Sequence, residues 1–139
     1  MPQPRSKSAL VTGAAQGIGQ AVAARLADDR FDVALLDRPQ ADLAETVALV
    51  EQRGRTPLPL AADVTVSSQV NEAVGECVER FGGVDVLVCC AGLLRDRPIL
   101  DMSDDDWSQV VGVNLTGAFH CARAAARHMV VANSGKIGR

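Results

Sequence analysis

A glycine-rich segment near the N-terminus constrains the fold more than any other part of this sequence. The segment Thr12-Gly13-Ala14-Ala15-Gln16-Gly17-Ile18-Gly19 directly follows the short apolar run at residues 9–11. This order predicts a strand, a tight turn and then a helix. Gly13 permits the turn because it has no Cβ, Gly17 lets a pyrophosphate approach the backbone, and Gly19 lets the helix pack close to the strand. Free amides at the start of a helix favour an anion, so the segment predicts a dinucleotide site.

Apolar strand-like runs alternate with amphipathic helical segments along the rest of the chain. The predicted strands are residues 9–11, 33–36, 58–61 and 84–89, and the predicted helices are residues 17–28, 41–53, 66–81 and 103–132. This alternation predicts one α/β domain over residues 1–139, a doubly wound parallel (Rossmann) sheet with strand order 3-2-1-4. We expect the fourth strand to be buried on both faces because it is apolar throughout. Residues 133–139 resemble a turn into a fifth strand that we expect the chain not to reach.

Helical spacing predicts which side chains face the core. These side chains are Ile18, Val22 and Leu26 in the first helix, Leu43, Val47 and Val50 in the second, Val70, Val74, Cys77 and Phe81 in the third, and Leu115, Phe119, Ala122, Ala126 and Met129 in the long one. Asp42 with Glu45 is expected to form a capping box, and Ser103 is expected to cap the long helix. Gly112 and Asn114 are expected to kink or split that helix.

Composition excludes several function classes. Hydrophobic residues make up 47% of the 139 residues and charged residues 22%, as in an ordinary globular domain. The net charge of −3 gives no basic footprint, which argues against nucleic acid as a partner. No apolar run approaches the ~20 residues of a membrane span, and residues 1–7 lack the apolar core of a signal peptide. We therefore expect a cytoplasmic protein that does not bind membranes.

The cysteines and histidines do not suggest a metal site. Cys77, Cys89, Cys90 and Cys121 form no C-x-x-C pair, and no histidine lies at ligand spacing from them. We interpret them as reduced, mostly buried thiols rather than metal ligands or redox groups. His120 and His128 lie two turns apart on a predicted helix and are interpreted as surface or interface groups.

Asp37 refines the dinucleotide prediction. It ends the second predicted strand and follows Gly19 by 18 residues. A carboxylate at this place can accept hydrogen bonds from both ribose hydroxyls of an adenosine, and it repels a 2′-phosphate. The next residue, Arg38, could tolerate a phosphate, and a solvated turn aspartate is the alternative interpretation. We predict NAD as the cofactor, with NADP less favoured.

With these residues in place, the chain resembles the single-domain branch of the short-chain dehydrogenase/reductase family. The resemblance runs from Ser8 to about Arg139, and the loop at residues 93–100 is similar to that of β-ketoacyl-carrier-protein reductases. It implies the N-terminal portion of an NAD(P)-dependent oxidoreductase that interconverts an alcohol and a ketone, with 3-oxoacyl reduction as one option. It also implies a homo-oligomer whose partners are a dinucleotide and a small carbonyl or alcohol substrate.

The resemblance also implies roles for residues further along the chain. Asp63 and Val64 match the position that contacts the adenine ring, although Asp63 is alternatively a cap before the next helix. Cys89-Cys90-Ala91-Gly92 aligns with the family's Asn-Asn-Ala-Gly, so cysteine replaces both asparagines. The residues predicted to bind the cofactor are Thr12, Gly13, Gln16, Gly17, Ile18, Gly19, Asp37, Asp63, Val64, Cys90, Ala91 and Gly92.

Most of the family's catalytic groups have no counterpart here. Hydride transfer to a carbonyl requires a proton donor, which in the family is a tyrosine assisted by a lysine and a serine. The chain contains no tyrosine. Of the family's Asn-Ser-Tyr-Lys set only Asn114 is matched, and it implies a residue that holds a water in the proton relay. We therefore do not expect the chain alone to turn over; the alternatives are a non-catalytic dinucleotide-binding or interaction module and a non-functional fragment.

Overall fold

The computed structural model describes residues 3–139 as a parallel sheet with helices on both faces. The elements in chain order are β1 (Ser8–Thr12), α1 (Gly17–Asp28), β2 (Asp32–Asp37), α2 (Ala44–Gln52), β3 (Pro57–Ala61), α3 (Ser67–Phe81), β4 (Val86–Cys89), α4 (Asp104–Val111), a π-helical turn (Gly112–Thr116), α5 (Gly117–Ala132) and β5 (Lys136–Gly138). The alternation of strands and helices predicted from the sequence is confirmed.

The sheet order is β3-β2-β1-β4-β5, with every pair parallel. The predicted order 3-2-1-4 is confirmed, but the expectation that the chain stops before a fifth strand is wrong. Asn133 takes a left-handed conformation (φ 52°) and ends α5. The chain then runs alongside β4, where the amide of Lys136 donates to the carbonyl of Asp85 at 2.9 Å. The free backbone groups at the edge of β4 provide enough partners for three residues to pair.

Side chains of the central strands alternate between two hydrophobic clusters. Leu10, Leu36 and Leu87 face α3 and α5 in the larger cluster. Val11 and Leu35 face α1 and α2 in the smaller one. In β4 only Leu87 and Cys89 are buried, so the prediction that this strand is buried on both faces is wrong. The reason is that α1 and α2 cover β1, β2 and β3 and do not extend over β4.

The inward face of α1 also differs from the prediction. Gly19, Ala23 and Ala27 face the sheet, whereas Ile18 is 78% exposed. Three small residues let the helix axis lie close to the strands, and this rotates Ile18 towards the carboxyl end of the sheet. Val22 and Leu26 are half-buried at the edge of the smaller cluster.

The second helix begins later than predicted and has no capping box. Its first residue is Ala44. Leu43 is the N-cap residue, and no side chain makes a capping hydrogen bond there. The Asp42 carboxylate instead accepts a hydrogen bond from the Ala44 amide at 2.9 Å, in a local turn. Gly54 follows the helix end in a left-handed conformation (φ 71°), which glycine adopts easily.

The long predicted helix is split, as expected, by a π-helical turn that contains Gly112 and Asn114. Ser103 caps α4 in a reciprocal capping box with Asp106, which confirms the predicted helix start. The extra residue of the π turn rotates the face that follows, so Leu115 and Phe119 are 64% and 54% exposed rather than buried. The buried face of α5 consists of Gly117, Cys121, Ala124, Ala125 and Met129. Within residues 3–139, no helix is both long enough and apolar enough to cross a bilayer.

Candidate functional site

The glycine turn lies at the carboxyl end of β1, where the order of the sheet reverses. Gly13 has φ 67°, and a Cβ there would lie 2.7 Å from the Ala91 amide nitrogen. A Cβ on Gly19 would collide with the Gly13 carbonyl oxygen, so α1 packs directly on the turn. Gly17 has φ 57°, but a Cβ there would have no other atom within 4 Å. Two glycines are thus required by the protein's own packing, whereas the space beside Gly17 is open to a ligand.

Thr12 joins the turn to the end of β4. Its hydroxyl accepts hydrogen bonds from the amides of Cys90 and Ala91, both at 3.1 Å. The Thr12 carbonyl also accepts from the Cys90 amide at 3.2 Å. The predicted residues Gly13 and Gly92 are therefore brought to the same edge of the sheet, on neighbouring strands. Since the carboxyl ends of parallel strands at a switch point form a ligand crevice, this arrangement suits a dinucleotide.

Asp37 lies at the end of β2 and reaches across to the turn. One carboxylate oxygen accepts from the Ala15 amide at 2.9 Å, and the other accepts from the amide of its neighbour Arg38 at 2.8 Å. The side chain is half-buried rather than fully solvated. It therefore orders the glycine turn, and its carboxylate keeps lone pairs that these two hydrogen bonds do not use.

A polar contact on the other side of the turn was not predicted from the sequence. Thr46 of α2 is fully buried, and its hydroxyl donates to the Ala14 carbonyl at 2.8 Å. It also accepts from the Gln20 side chain at 3.1 Å. The only signal in the sequence was a threonine within the apolar stripe of a helix. A buried hydroxyl requires a partner, and here the partner is the turn itself.

Asp63 and Val64 form the turn between β3 and α3. The Asp63 carboxylate accepts from the Thr65 amide at 2.9 Å and from the Thr65 hydroxyl at 2.7 Å. The Asp63 amide donates to the Gln69 side chain at 2.8 Å. Asp63 does not cap α3, because Val66 is the residue before that helix and no side chain caps it. The local network instead orders the turn and holds Val64, which is 7% exposed, at the carboxyl end of β3.

Asn114 holds the loop that follows β4. Within the π-helical turn, its side-chain oxygen accepts from the Leu93 amide at 2.7 Å and its side-chain nitrogen donates to the Leu93 carbonyl at 3.0 Å. Both polar groups of the side chain are thereby used on one peptide segment. A helical turn of this type is often found at functional sites. Leu93 was not singled out in the sequence.

The histidine interpretation holds for one residue and fails for the other. His128 is exposed, as expected. His120 is half-buried, and its Nδ1 lies 2.8 Å from the Val64 carbonyl oxygen. Sequence separation explains the error, because the two residues lie 56 positions apart.

Five of the predicted residues, Ile18, Cys90, Ala91, Gly92 and Asn114, line a cleft of about 440 Å³. Its lining consists of Ile18, Cys89, Cys90, Ala91, Gly92, Leu93, Leu94, Asn114 and Arg139. Ile18 thus lies at the cleft rather than in the core. Gln16 is exposed just before α1.

All four cysteines are free thiols, and only Cys90 is not fully buried. Burial raises the pKa of Cys77 to about 12 and also raises the pKa of Cys90. The hydrogen bond with Cys89, followed by burial, raises the pKa of Cys121. These three thiols are therefore weak nucleophiles at neutral pH. Within the described part of the chain, no three His, Cys, Asp or Glu side chains cluster as a metal site requires.

Comparison with known proteins identifies the family. The family model for short chain dehydrogenases matches residues 7–137. This chain belongs to the short-chain dehydrogenase family. The short-chain reductase protein NovJ of Streptomyces niveus is 44% identical over 129 residues, which are 93% of this chain and 49% of that protein. The 3-oxoacyl-acyl-carrier-protein reductase of Staphylococcus epidermidis is 37% identical over 133 residues, 95% of this chain and 54% of the relative.

A solved short-chain dehydrogenase structure supports the same assignment. Carveol dehydrogenase from Mycobacterium avium, in complex with NAD, superposes with a TM-score of 0.87 at 32% identity. The match covers 94% of this chain and 52% of the other. The chain thus spans about half the length of the relatives it matches, and it corresponds to their N-terminal portion.

Proposed function

We propose that this chain is the dinucleotide-binding portion of a short-chain oxidoreductase and that it binds NAD(H) in the cleft at the ends of β1 and β4. The observation that carries the proposal is the open space at Gly17, in a glycine turn that is held by the Thr12–Ala91 and Ala15–Asp37 hydrogen bonds. Backbone amides at the start of α1 would hold the pyrophosphate. The carveol dehydrogenase that this chain resembles was solved with NAD.

The choice of NAD over NADP rests on Asp37. A carboxylate at the end of β2 accepts hydrogen bonds from ribose hydroxyls, and it repels the extra phosphate of NADP. Its bond to the Ala15 amide fixes it beside the glycine turn. Arg38 is exposed beside it and is the group that would favour NADP. We favour NAD because hydrogen bonds fix the position of the Asp37 carboxylate. The exposed Arg38 side chain would lose conformational entropy on binding a phosphate.

The proposed reaction of the whole protein is the interconversion of an alcohol and a ketone. The bound nicotinamide would supply or accept a hydride at the carbonyl carbon. Asn114 would fix the loop after β4 beside the reacting centre through its two bonds to Leu93. The proton donor would come from a tyrosine, which these 139 residues do not contain. A 3-oxoacyl thioester is one substrate class, because a reductase of that class is among the relatives.

Titration with NADH tests the binding proposal. We expect micromolar binding of NADH by the 139-residue chain, at least tenfold weaker binding of NADPH, and no consumption of NADH when a 3-oxoacyl thioester is added. Absence of binding in a chain that unfolds cooperatively would contradict the proposal. Binding without turnover would also fit a non-catalytic dinucleotide-binding module, and reaction after addition of the rest of a short-chain dehydrogenase would separate the two functions.

We also propose that the chain self-associates. Leu115 in the π-helical turn and Phe119 in α5 both remain more than half exposed. Exposed apolar side chains of this size are uncommon on monomers when they are contiguous. Sedimentation velocity over a range of concentrations tests the proposal, and a monomer at every concentration would contradict it.

A further inference from the structure

The peptide bond between Ala14 and Ala15 is held at both edges by side chains from two other elements. The Thr46 hydroxyl of α2 donates to the Ala14 carbonyl at 2.8 Å. The Asp37 carboxylate, at the end of β2, accepts from the Ala15 amide at 2.9 Å. A trans peptide bond is planar, and its carbonyl and N–H point in opposite directions. The two contacts therefore fix one rigid plane from both sides.

A third side chain decides which way the Thr46 hydroxyl points. The Gln20 side-chain nitrogen donates to the Thr46 hydroxyl oxygen at 3.1 Å and to the Ala15 carbonyl at 3.3 Å. A carbonyl oxygen can only accept, so the single hydroxyl hydrogen of Thr46 belongs to the Ala14 carbonyl. The hydroxyl therefore cannot rotate to another acceptor without leaving that carbonyl unpaired.

Burial leaves the Ala14 carbonyl no substitute for this partner. Thr46 and Ala14 are both 0% exposed, so bulk water does not reach the contact. Among the hydrogen bonds of residues 3–139, only the one from Thr46 ends on the Ala14 carbonyl. A buried carbonyl without a partner is costly, so loss of the hydroxyl would favour rotation of the peptide plane towards another donor. The Ala15 N–H would then turn away from the Asp37 carboxylate.

Asp37 depends on that N–H for its position beside the glycine turn. Its other carboxylate oxygen accepts from the amide of the next residue, Arg38, at 2.8 Å. That contact lies within one stretch of chain and does not connect the carboxylate to the turn. The bond from the Ala15 amide is therefore the contact that sets where the carboxylate lies relative to the turn.

We propose that Thr46 is a positioning residue for Asp37: acting through the peptide bond between Ala14 and Ala15, it holds the carboxylate where it favours NADH over NADPH. The inference rests on the proposed binding of NAD(H). It adds to the determinants of cofactor choice a residue of α2 that is fully buried and so does not touch the cofactor itself.

The test measures the Kd of NADH and of NADPH for the 139-residue chain by fluorescence titration. Thr46→Val keeps the shape of the side chain and removes the hydroxyl. We expect its NADH affinity to fall about three- to tenfold and its preference for NADH over NADPH to shrink by a similar factor, the value of one hydrogen bond. General loosening of the fold would lower both affinities equally, so the ratio reports on positioning.

Matched variants separate the hydroxyl from the rest of the side chain. Thr46→Ser keeps the donor and should keep the preference within about twofold of wild type. Thr56→Val makes the same change at an exposed threonine and should alter neither affinity. Thr46→Val combined with Asp37→Ser should show the preference of Asp37→Ser alone, because Thr46 acts on cofactor choice only through Asp37.

The inference fails if folded Thr46→Val keeps the wild-type preference, or if the double variant loses more preference than Asp37→Ser alone. If Thr46→Val has no cooperative thermal transition, Thr46→Cys replaces it, since a thiol is a weak donor of similar size. An unchanged preference in Thr46→Cys then overturns the inference. These results leave NAD(H) binding intact, whereas a wild-type chain that binds neither dinucleotide overturns the proposed function as well.

Discussion

Gly13 and Gly17 share a left-handed backbone but have different surroundings, and this difference separates stability from binding. Gly13→Ala places a Cβ 2.7 Å from the Ala91 amide nitrogen, whereas Gly17→Ala places it in open space. We expect Gly17→Ala to cost only the left-handed penalty of about 1–2 kcal/mol and yet to weaken NADH binding strongly, because the methyl group occupies the pyrophosphate position.

Gly13→Ala should cost more, about 3 kcal/mol or above, because overpacking adds to the left-handed penalty. Urea denaturation measures the two stabilities, and NADH titration measures the binding of each folded variant. Equal loss of stability in both variants would contradict the assignment of a packing role to Gly13. Full NADH binding by Gly17→Ala would contradict the assignment of a ligand role to Gly17.

The second prediction at the level of single residues concerns Asp37. Asp37→Ser removes the negative charge that opposes a 2′-phosphate and leaves Arg38 beside the site. We expect NADH affinity to fall about tenfold, the value of a charge-assisted hydrogen bond, and the NADH preference over NADPH to shrink by more than that. Paired titrations measure both. The control is Asp29→Ser, which removes an exposed carboxylate at the end of α1. An identical change in the NADH preference of that variant would show that net charge alone sets the preference.

The sequence predicted local backbone conformation better than contacts between distant residues. The glycine spacing places Gly13 and Gly17 because a turn is decided by consecutive residues. Thr46 and His120 were missed because each acts on a carbonyl that is distant in the chain, 32 and 56 positions away. Such contacts depend on which helix lies over which turn, and one sequence does not encode that register in any local pattern.

At the level of elements, the capping box of α4 yields a third prediction. Ser103 accepts from the Asp106 amide at 3.0 Å, and the Asp106 carboxylate accepts from the Ser103 amide at 3.2 Å. Ser103→Ala should destabilise the chain by about 1 kcal/mol. Ser108→Ala, on the exposed surface of the same helix, should change stability by less than about 0.5 kcal/mol. Thermal melts compare the pair, and equal midpoints would show that α4 unfolds separately from the rest.

Element types were predictable, but their faces were not. Strand and helix follow from apolar periodicity, and this was sufficient for β1 to β4. The inward face of α1 depends on its small residues, because Gly19 and Ala23 let the helix approach the sheet. The exposure of Leu115 follows from an extra residue in the π turn, which shifts the helical register by about 100°. Periodicity cannot show either effect.

At the level of the whole molecule, one ion pair ties the N-terminal segment to the start of β4. Both terminal nitrogens of the Arg5 guanidinium donate to Asp85, at 2.8 and 2.9 Å, and the Ser8 amide donates to the same carboxylate at 2.8 Å. Burial opposes ionisation of Asp85, but the hydrogen bonds from Arg5 and Ser8 outweigh it and hold its pKa below the ordinary value of 3.8.

The pH dependence follows from that direction. A carboxylate with a lowered pKa stabilises the fold above its unfolded pKa, and this contribution is lost as pH falls through the folded pKa. Asp85→Asn should therefore be about 1–2 kcal/mol less stable than wild type at neutral pH, with the difference shrinking below about pH 4. Urea denaturation at several pH values measures it. Arg5→Met should show the same trend, and a difference independent of pH would contradict the role of the charge.

The pairing of β1 with both β2 and β4 has a consequence for the order of folding. The contacts β1–β2 and β2–β3 close through single crossovers, whereas Arg5 and Asp85 lie 80 positions apart. Contacts between distant residues form late because they must close a long loop. While the chain is being synthesised or refolded, β1 therefore keeps one edge free. The glycine turn at the end of β1 packs against the Ala91 backbone in the folded chain. We expect the turn to lack this contact until β4 pairs with β1.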